Sequence, residues 1–180
     1  MKRTNNGNGT TLVEAVLLIF VIILSKYIKT PLFNQNNIWI SIALGLLIGF
    51  MLFLFVAFAH RKTLRANVHR NLSEFHYPHK DSKKIDKLIL KPIIIAVSEE
   101  LFFRGLIYSL AGFWIGNILF AVLHALVFTD KFLTMLHTFV FGIVFTLLYL
   151  VTGSLLAPIV CHWFFTFLRI YYFPSRVQES

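Results

Sequence analysis

The chain has 180 residues, of which 57% are hydrophobic and 14% charged, and its formal net charge is +9. Soluble globular domains are only about 45–50% apolar, so the composition indicates a membrane protein. The basic residues flank apolar runs, which favours positive-inside membrane topology over nucleic-acid binding. A single cysteine, Cys161, excludes an intramolecular disulfide and a cysteine-cluster metal site.

The N-terminal third predicts a tail followed by two accessory transmembrane helices. Residues 1–11 are polar and glycine-rich, which is typical of a flexible tail. The apolar run at 12–28 is expected to be retained, because Glu14 interrupts it and no small-residue cleavage site follows. A second span is predicted at 38–59, and together these runs form an accessory segment over 12–59.

Residues 60–87 are strongly basic and are predicted to form a cytoplasmic loop. Scattered among the loop's cations are histidines that we do not interpret as a metal site: His60, His69, His76 and His79. Residues 88–172 then predict a core of four further spans, before a tail at 173–180. The predicted architecture is an all-α polytopic bundle of about six spans with both termini in the cytoplasm.

Ionisable side chains at bilayer depth are the candidate functional residues, because each costs at least about 2.5–3.5 kcal/mol on insertion scales. In the core they are Glu99, Glu100, Arg104, His124 and His162. Glu100 and Arg104 are four residues apart on one helical face, which predicts an ion pair. Glu99 points about 100° away from Glu100. Without the arginine, Glu99 is the carboxylate expected to act as a general base.

His124 and His162 lie in two other predicted spans, at depths that allow both to meet Glu99 on the cytoplasmic side of the midplane. Thr166 follows His162 by one turn on the same face. A structural Glu–Arg bridge with two packing histidines explains each residue alone, but the joint pattern favours a functional site. His137, near the inner end of the fifth predicted span, is interpreted as structural.

Three sequence segments, in order, resemble the motifs of one membrane-protein family. EELFFR at 99–104 resembles EExxxR, FAVLH at 120–124 resembles FxxxH, and the region around His162 resembles an HxxxN-type motif. These motifs are typical of the CPBP family, which includes the type II CAAX prenyl endopeptidases and the Abi-like bacteriocin-processing and immunity proteins. The resemblance covers roughly residues 85–170.

The resemblance implies an intramembrane endopeptidase with separable site roles. Glu99 and His124 would activate a water that attacks a peptide carbonyl, and His162 would help to stabilise the oxyanion. Glu100 and Arg104 would hold the site in shape. Thr166 stands where the family usually has asparagine, and a hydroxyl donates one proton where an amide donates two.

The cofactor is left open between two chemistries. Glu99, His124 and His162 resemble a three-ligand zinc site with an open position for water. The same three side chains are equally able to work without a metal, as a glutamate base assisted by histidine. The soluble metalloprotease signature HExxH is absent from the sequence.

The expected substrate is a membrane-associated protein or peptide, met within the lipid bilayer of a bacterial plasma membrane. Two alternatives from other functional classes remain. One is a catalytically weak or inactive immunity or scaffold protein that binds a bacteriocin or another partner. The other is a proton-coupled transporter that uses Glu99 and the histidines as a relay, although no internal sequence repeat supports it.

Overall fold

The computed structural model describes Ile19 and residues 38–62, 85–127 and 131–172. Within those residues all regular secondary structure is helical, so the all-α prediction is confirmed. The first predicted span, apart from Ile19, lies outside the described residues, as do both predicted tails and most of the basic loop. The count of about six spans is therefore not confirmed.

The described residues form five α-helices and one π-helix. The elements are α1 (Ile38–Lys62), α2 (Ile85–Glu100), a π-helix (Leu101–Ile107), α3 (Tyr108–Val127), α4 (Lys131–Thr152) and α5 (Leu156–Tyr172). The π-helix continues α2 directly into α3. Three stretches are long and apolar enough to cross a membrane: Ile38–Phe58, Ile89–Leu126 and Thr134–Thr152.

The chain reverses direction inside α3, at Gly112. This residue has φ 80° and ψ −176°, a conformation that is essentially restricted to glycine. As a result, the rings of Phe103 and Phe120 pack edge to face with centroids 4.9 Å apart. A straight helix between those two residues would separate them by about 25 Å. The stretch Ile89–Leu126 therefore folds back on itself, and the reversal lies between the sequence segments that contain Glu99 and His124.

Helix α1 packs along α5, the helix that carries His162. A Cβ atom on Gly45 would lie 2.7 Å from the carbonyl oxygen of Ala157, and one on Gly49 would lie 2.8 Å from that of Cys161. The two backbones are thus in direct contact, as expected for small residues at this spacing. A helix that the sequence analysis assigns to the accessory segment therefore packs directly against the helix that carries His162.

The remaining helices enclose an aromatic core beside the site. Helix α5 also contacts α2 and α4, while α3 packs on α4 and on the π-helix. Phe103, Phe120 and Phe145 are buried in one cluster with Cys161. Aromatic rings from the π-helix, α3 and α4 therefore pack beside the candidate polar side chains of the site.

Candidate active site

Two adjacent carboxylates at the junction of α2 and the π-helix have different surroundings. The side chain of Glu99 is 22% exposed, whereas that of Glu100 is completely buried. Consecutive helical residues diverge by about 100°, so the side chain of Glu99 is partly exposed while that of Glu100 faces the core. Short π-helices are rare and frequently occur at functional sites.

Glu99 meets both candidate histidines. Its Oε2 atom lies 3.4 Å from Nε2 of His124 and 3.9 Å from Nε2 of His162. The same oxygen makes no hydrogen bond with the part of the chain that the structure describes. Side chains from α2, α3 and α5 therefore converge on one carboxylate oxygen that has capacity to accept a proton.

The partners of the two Nδ1 atoms define the protonation of each ring. Nδ1 of His124 lies 2.8 Å from the carbonyl oxygen of Phe120, which can only accept, so this nitrogen carries a proton and donates. Nδ1 of His162 lies 3.0 Å from Oε1 of Glu100 and donates to that carboxylate in the same way. In each neutral ring the lone pair is then on Nε2, the atom that faces Glu99.

Glu100 is shared between His162 and a buried arginine. Nη1 of Arg104 donates to Oε1 of Glu100 at 3.1 Å, and Nη2 donates to the carbonyl oxygen of Gly142 at 3.0 Å. Only 1% of the Arg104 side chain is exposed. Its guanidinium carbon lies 4.4 Å from the centre of the Phe120 ring, so a cation–π contact adds to the stabilisation of the buried charge.

The structure brings five of the sequence-predicted residues into one site: Glu99, Glu100, Arg104, His124 and His162. Thr166 is buried one turn beyond His162 on α5. His137 lies half-buried on α4, and Glu14 lies outside the described residues.

The backbone carbonyl of Gly142 was not identified from the sequence as a partner of Arg104. Phe145, whose ring stacks on His162 with centroids 5.0 Å apart, was also missed. A backbone carbonyl has no side-chain signature, and the Phe145 ring is one of twenty phenylalanines in the chain. Both contacts join elements that are distant in sequence, so no local spacing rule identifies them.

A metal ion was one of the two options for this site. Among the residues that the structure describes, no group of three or more histidine, cysteine or acidic side chains is arranged to hold a metal ion. This includes Glu99, His124 and His162, the three candidate zinc ligands.

Comparison with known proteins adds a family relationship to this geometry. Residues 82–168 match the family model of the type II CAAX prenyl endopeptidase Rce1-like proteins. Among curated proteins, the chain is similar to the uncharacterized protein YpbD of Bacillus subtilis (strain 168), with 30% identity over 81 residues. That alignment covers 45% of this chain and 42% of YpbD, so the chain matches less than half of its relative's length. No solved structure matches the chain.

Proposed function

Since residues 82–168 match the Rce1-like family of type II CAAX prenyl endopeptidases, we propose that the chain is an intramembrane endopeptidase of this family. Its substrate would be a membrane-associated protein or peptide. The observation that carries this proposal is the convergence of Glu99 Oε2 with the Nε2 atoms of His124 and His162. A purely structural ion pair would not need a second carboxylate, partly exposed and facing two imidazole lone pairs.

Water activation is the first step of the proposed reaction. A water molecule on the exposed side of the site would contact Glu99 and His124, the two more exposed of the three side chains, at 22% and 21%. Glu99 accepts a proton as the water oxygen bonds to the peptide carbonyl carbon. Glu99 then returns that proton to the amide nitrogen while the carbon–nitrogen bond breaks. The products are a carboxylic acid and an amine, and Glu99 is again a carboxylate.

His162 is proposed to stabilise the oxyanion, and Glu100 defines how it does so. Because Nδ1 of His162 donates to Glu100, the neutral ring has no proton on Nε2 to offer an oxyanion. The ring donates from Nε2 only as an imidazolium, and Glu100 at 3.0 Å is the carboxylate that would stabilise this cation. Glu100 is therefore a charge partner of His162 as well as of Arg104.

A non-catalytic membrane immunity or scaffold protein is the second candidate. The observation that favours it is Thr166, one turn beyond His162, where a single hydroxyl replaces the amide that is usual in the family. Loss of one oxyanion donor typically lowers kcat by about 100- to 1,000-fold. A protein of this kind would bind its partner through the same fold without cleaving it.

The test is substrate profiling of membrane peptides by the purified full chain in lipid vesicles, with product ends identified by mass spectrometry. Glu99→Gln preserves shape and removes the base, so we expect cleavage to fall by about 100- to 10,000-fold. His124→Asn should cause a comparable loss. His137→Asn is the matched control, because it alters a membrane histidine on α4 that is not part of the site, and it should retain activity.

Two further measurements separate the alternatives. Each reaction is repeated with a metal chelator, and loss of activity would contradict the metal-free route derived above. Where the chain confers a cellular phenotype, Glu99→Gln at unchanged expression should abolish it. A phenotype that persists in this variant would refute proteolysis as the function and support the immunity or scaffold alternative.

A further inference from the structure

A buried hydrogen-bond network adjoins the candidate active site at Arg104. It links Arg104 through the carbonyl oxygen of Gly142 to Thr146 and Asn117, two side chains that none of the family motifs includes. Asn117 is 1% exposed and Thr146 is 2% exposed. Polar groups that are buried in a membrane protein normally have their hydrogen bonds satisfied. The hydrogen bonds of Asn117 and Thr146 meet this condition, so the network is a specific structural feature of the core.

Asn117 is fixed in orientation by its two partners. Its Nδ2 atom donates to the carbonyl oxygen of Phe113 at 3.0 Å, in its own helix. This directs its Oδ1 atom across to α4, where the hydroxyl of Thr146 lies 3.0 Å away. Asn117 precedes His124 on α3 by seven residues, close to two full turns, so both side chains lie on the same face of that helix.

Thr146 connects Asn117 to the carbonyl that holds the arginine. Its hydroxyl lies 2.9 Å from the carbonyl oxygen of Gly142, the same atom that accepts from Arg104 Nη2 at 3.0 Å. A carbonyl oxygen has two lone pairs, so it can accept from both side chains at once. The single hydroxyl proton of Thr146 is shared between Gly142 and Asn117.

Gly142 has no space for a side chain at this crossing. A Cβ atom there would lie 2.8 Å from Asn117 Oδ1 and 3.3 Å from Arg104 Nη2. Both the amide and the guanidinium are thus packed against the bare backbone of α4. The position of Arg104 relative to α4 depends on this close approach. Arg104 in turn positions Glu100, and Glu100 positions His162, through their hydrogen bonds.

We propose that Asn117 and Thr146 are positioning residues for the active site: they fix the α3–α4 crossing and the Gly142 carbonyl so that Arg104 holds Glu100 against Nδ1 of His162. This inference rests on the proposed function. It assigns a role to two residues that act through Arg104 and do not contact substrate. It also gives a reason for burying a polar pair beside a core cluster made of aromatic, aliphatic and cysteine side chains.

The experiment compares three threonine variants of the full chain in lipid vesicles. Thr146→Val keeps the shape of the side chain and removes its hydroxyl, Thr146→Ser restores the hydroxyl, and Thr138→Val is the matched control. Thr138 is on the same helix, and its hydroxyl bonds to carbonyl oxygens of its own helix at Thr134 and Met135. Thr138→Val therefore removes a threonine hydroxyl without changing the hydrogen-bond network that reaches Arg104.

We expect Thr146→Val to lower kcat about tenfold, because a buried hydrogen bond that supports the site is lost. KM should change less than about twofold, because Thr146 does not contact substrate. Thr146→Ser should restore kcat to within about twofold of the wild type. Thr138→Val should leave both constants unchanged. An unchanged kcat in Thr146→Val, or an equal loss in Thr138→Val, overturns the inference.

A second readout does not depend on cleavage. In ¹⁵N-histidine NMR spectra, with the His162 signals identified by their loss in His162→Gln, Thr146→Val should shift the His162 ring nitrogens and Thr138→Val should not. If the wild type shows no Glu99-dependent cleavage, the proposed function fails, and the NMR comparison alone decides the positioning role. His162 signals that stay in place in Thr146→Val refute that role whether or not the chain is a protease.

Discussion

Replacing Glu100 with glutamine removes the negative charge on which both Arg104 and His162 depend. Glu100 is completely buried and Arg104 is 1% exposed, so the variant leaves a buried guanidinium without its counter-ion. Breaking a buried pair in this way typically costs about 3–5 kcal/mol. Arg104 keeps its bond to the Gly142 carbonyl and its contact with the Phe120 ring, so we expect the lower end of that range.

A loss of about 3 kcal/mol corresponds to a decrease in Tm of roughly 6–12 °C for a chain of this size. The assay is thermal unfolding of the full chain in detergent, followed by circular dichroism. Glu99→Gln is the matched control, since it makes the same chemical change one residue earlier on a carboxylate that is 22% exposed. Its Tm should change by much less than that of Glu100→Gln.

The double variant Glu100→Gln/Arg104→Met separates folding from activity. Neutral replacement of both members of a buried ion pair is often neutral or stabilising, so most of the lost Tm should return. Cleavage should not return, because His162 still lacks the carboxylate that stabilises its imidazolium. Equal Tm shifts in Glu100→Gln and Glu99→Gln, or a double variant less stable than Glu100→Gln, would refute this account of the buried pair.

Two further variants test the oxyanion side of the site and its support. Thr166→Val should lower kcat by about 100-fold or more, because an oxyanion donor is lost. Thr166→Asn should match or exceed the kcat of the wild type on the same peptide substrate. Equal rates in the two variants would exclude Thr166 as an oxyanion donor. Gly49→Leu should lower the free energy of unfolding by about 1–3 kcal/mol or more, because its Cβ atom would meet the carbonyl oxygen of Cys161 at 2.8 Å. In chemical unfolding experiments Phe50→Leu, on the exposed face of the same helix, should be close to neutral.

The sequence predicts those parts of the site that follow from composition and helical spacing. Hydropathy predicts the all-helical class that the described residues show, and the high free energy of an ionisable group in a bilayer identifies Glu99, His124 and His162 as exceptional. The four-residue spacing of Glu100 and Arg104 predicts an ion pair, and the structure contains it. These inferences succeed because each depends on one residue's chemistry or on one helix's geometry.

The parts that the sequence does not predict depend on contacts between helices. The bond from His162 to Glu100 joins residues that are 62 positions apart, and the bond from Arg104 to Gly142 joins residues that are 38 apart. In the sequence, Asn117 is a single polar residue in an apolar run. Its hydrogen bond with Thr146 becomes evident only when α3 is packed against α4. Which of the two adjacent glutamates is buried likewise depends on the rotation of α2 against its neighbours.

Burial and partners give the two adjacent glutamates different tasks in the proposed reaction. Glu100 accepts from Arg104 and His162 through the same oxygen, so a proton placed on that carboxylate would compete with two charge-assisted hydrogen bonds. Glu99 makes its nearest ion-pair contact at 3.4 Å, to Nε2 of His124, and its side chain is partly exposed whereas that of Glu100 is completely buried. A proton from water is therefore directed to Glu99. The negative charge of Glu100 is preserved for His162 throughout the cycle, which is why we expect Glu100→Asp, with its shorter reach to Nδ1, to retain more activity than Glu100→Gln.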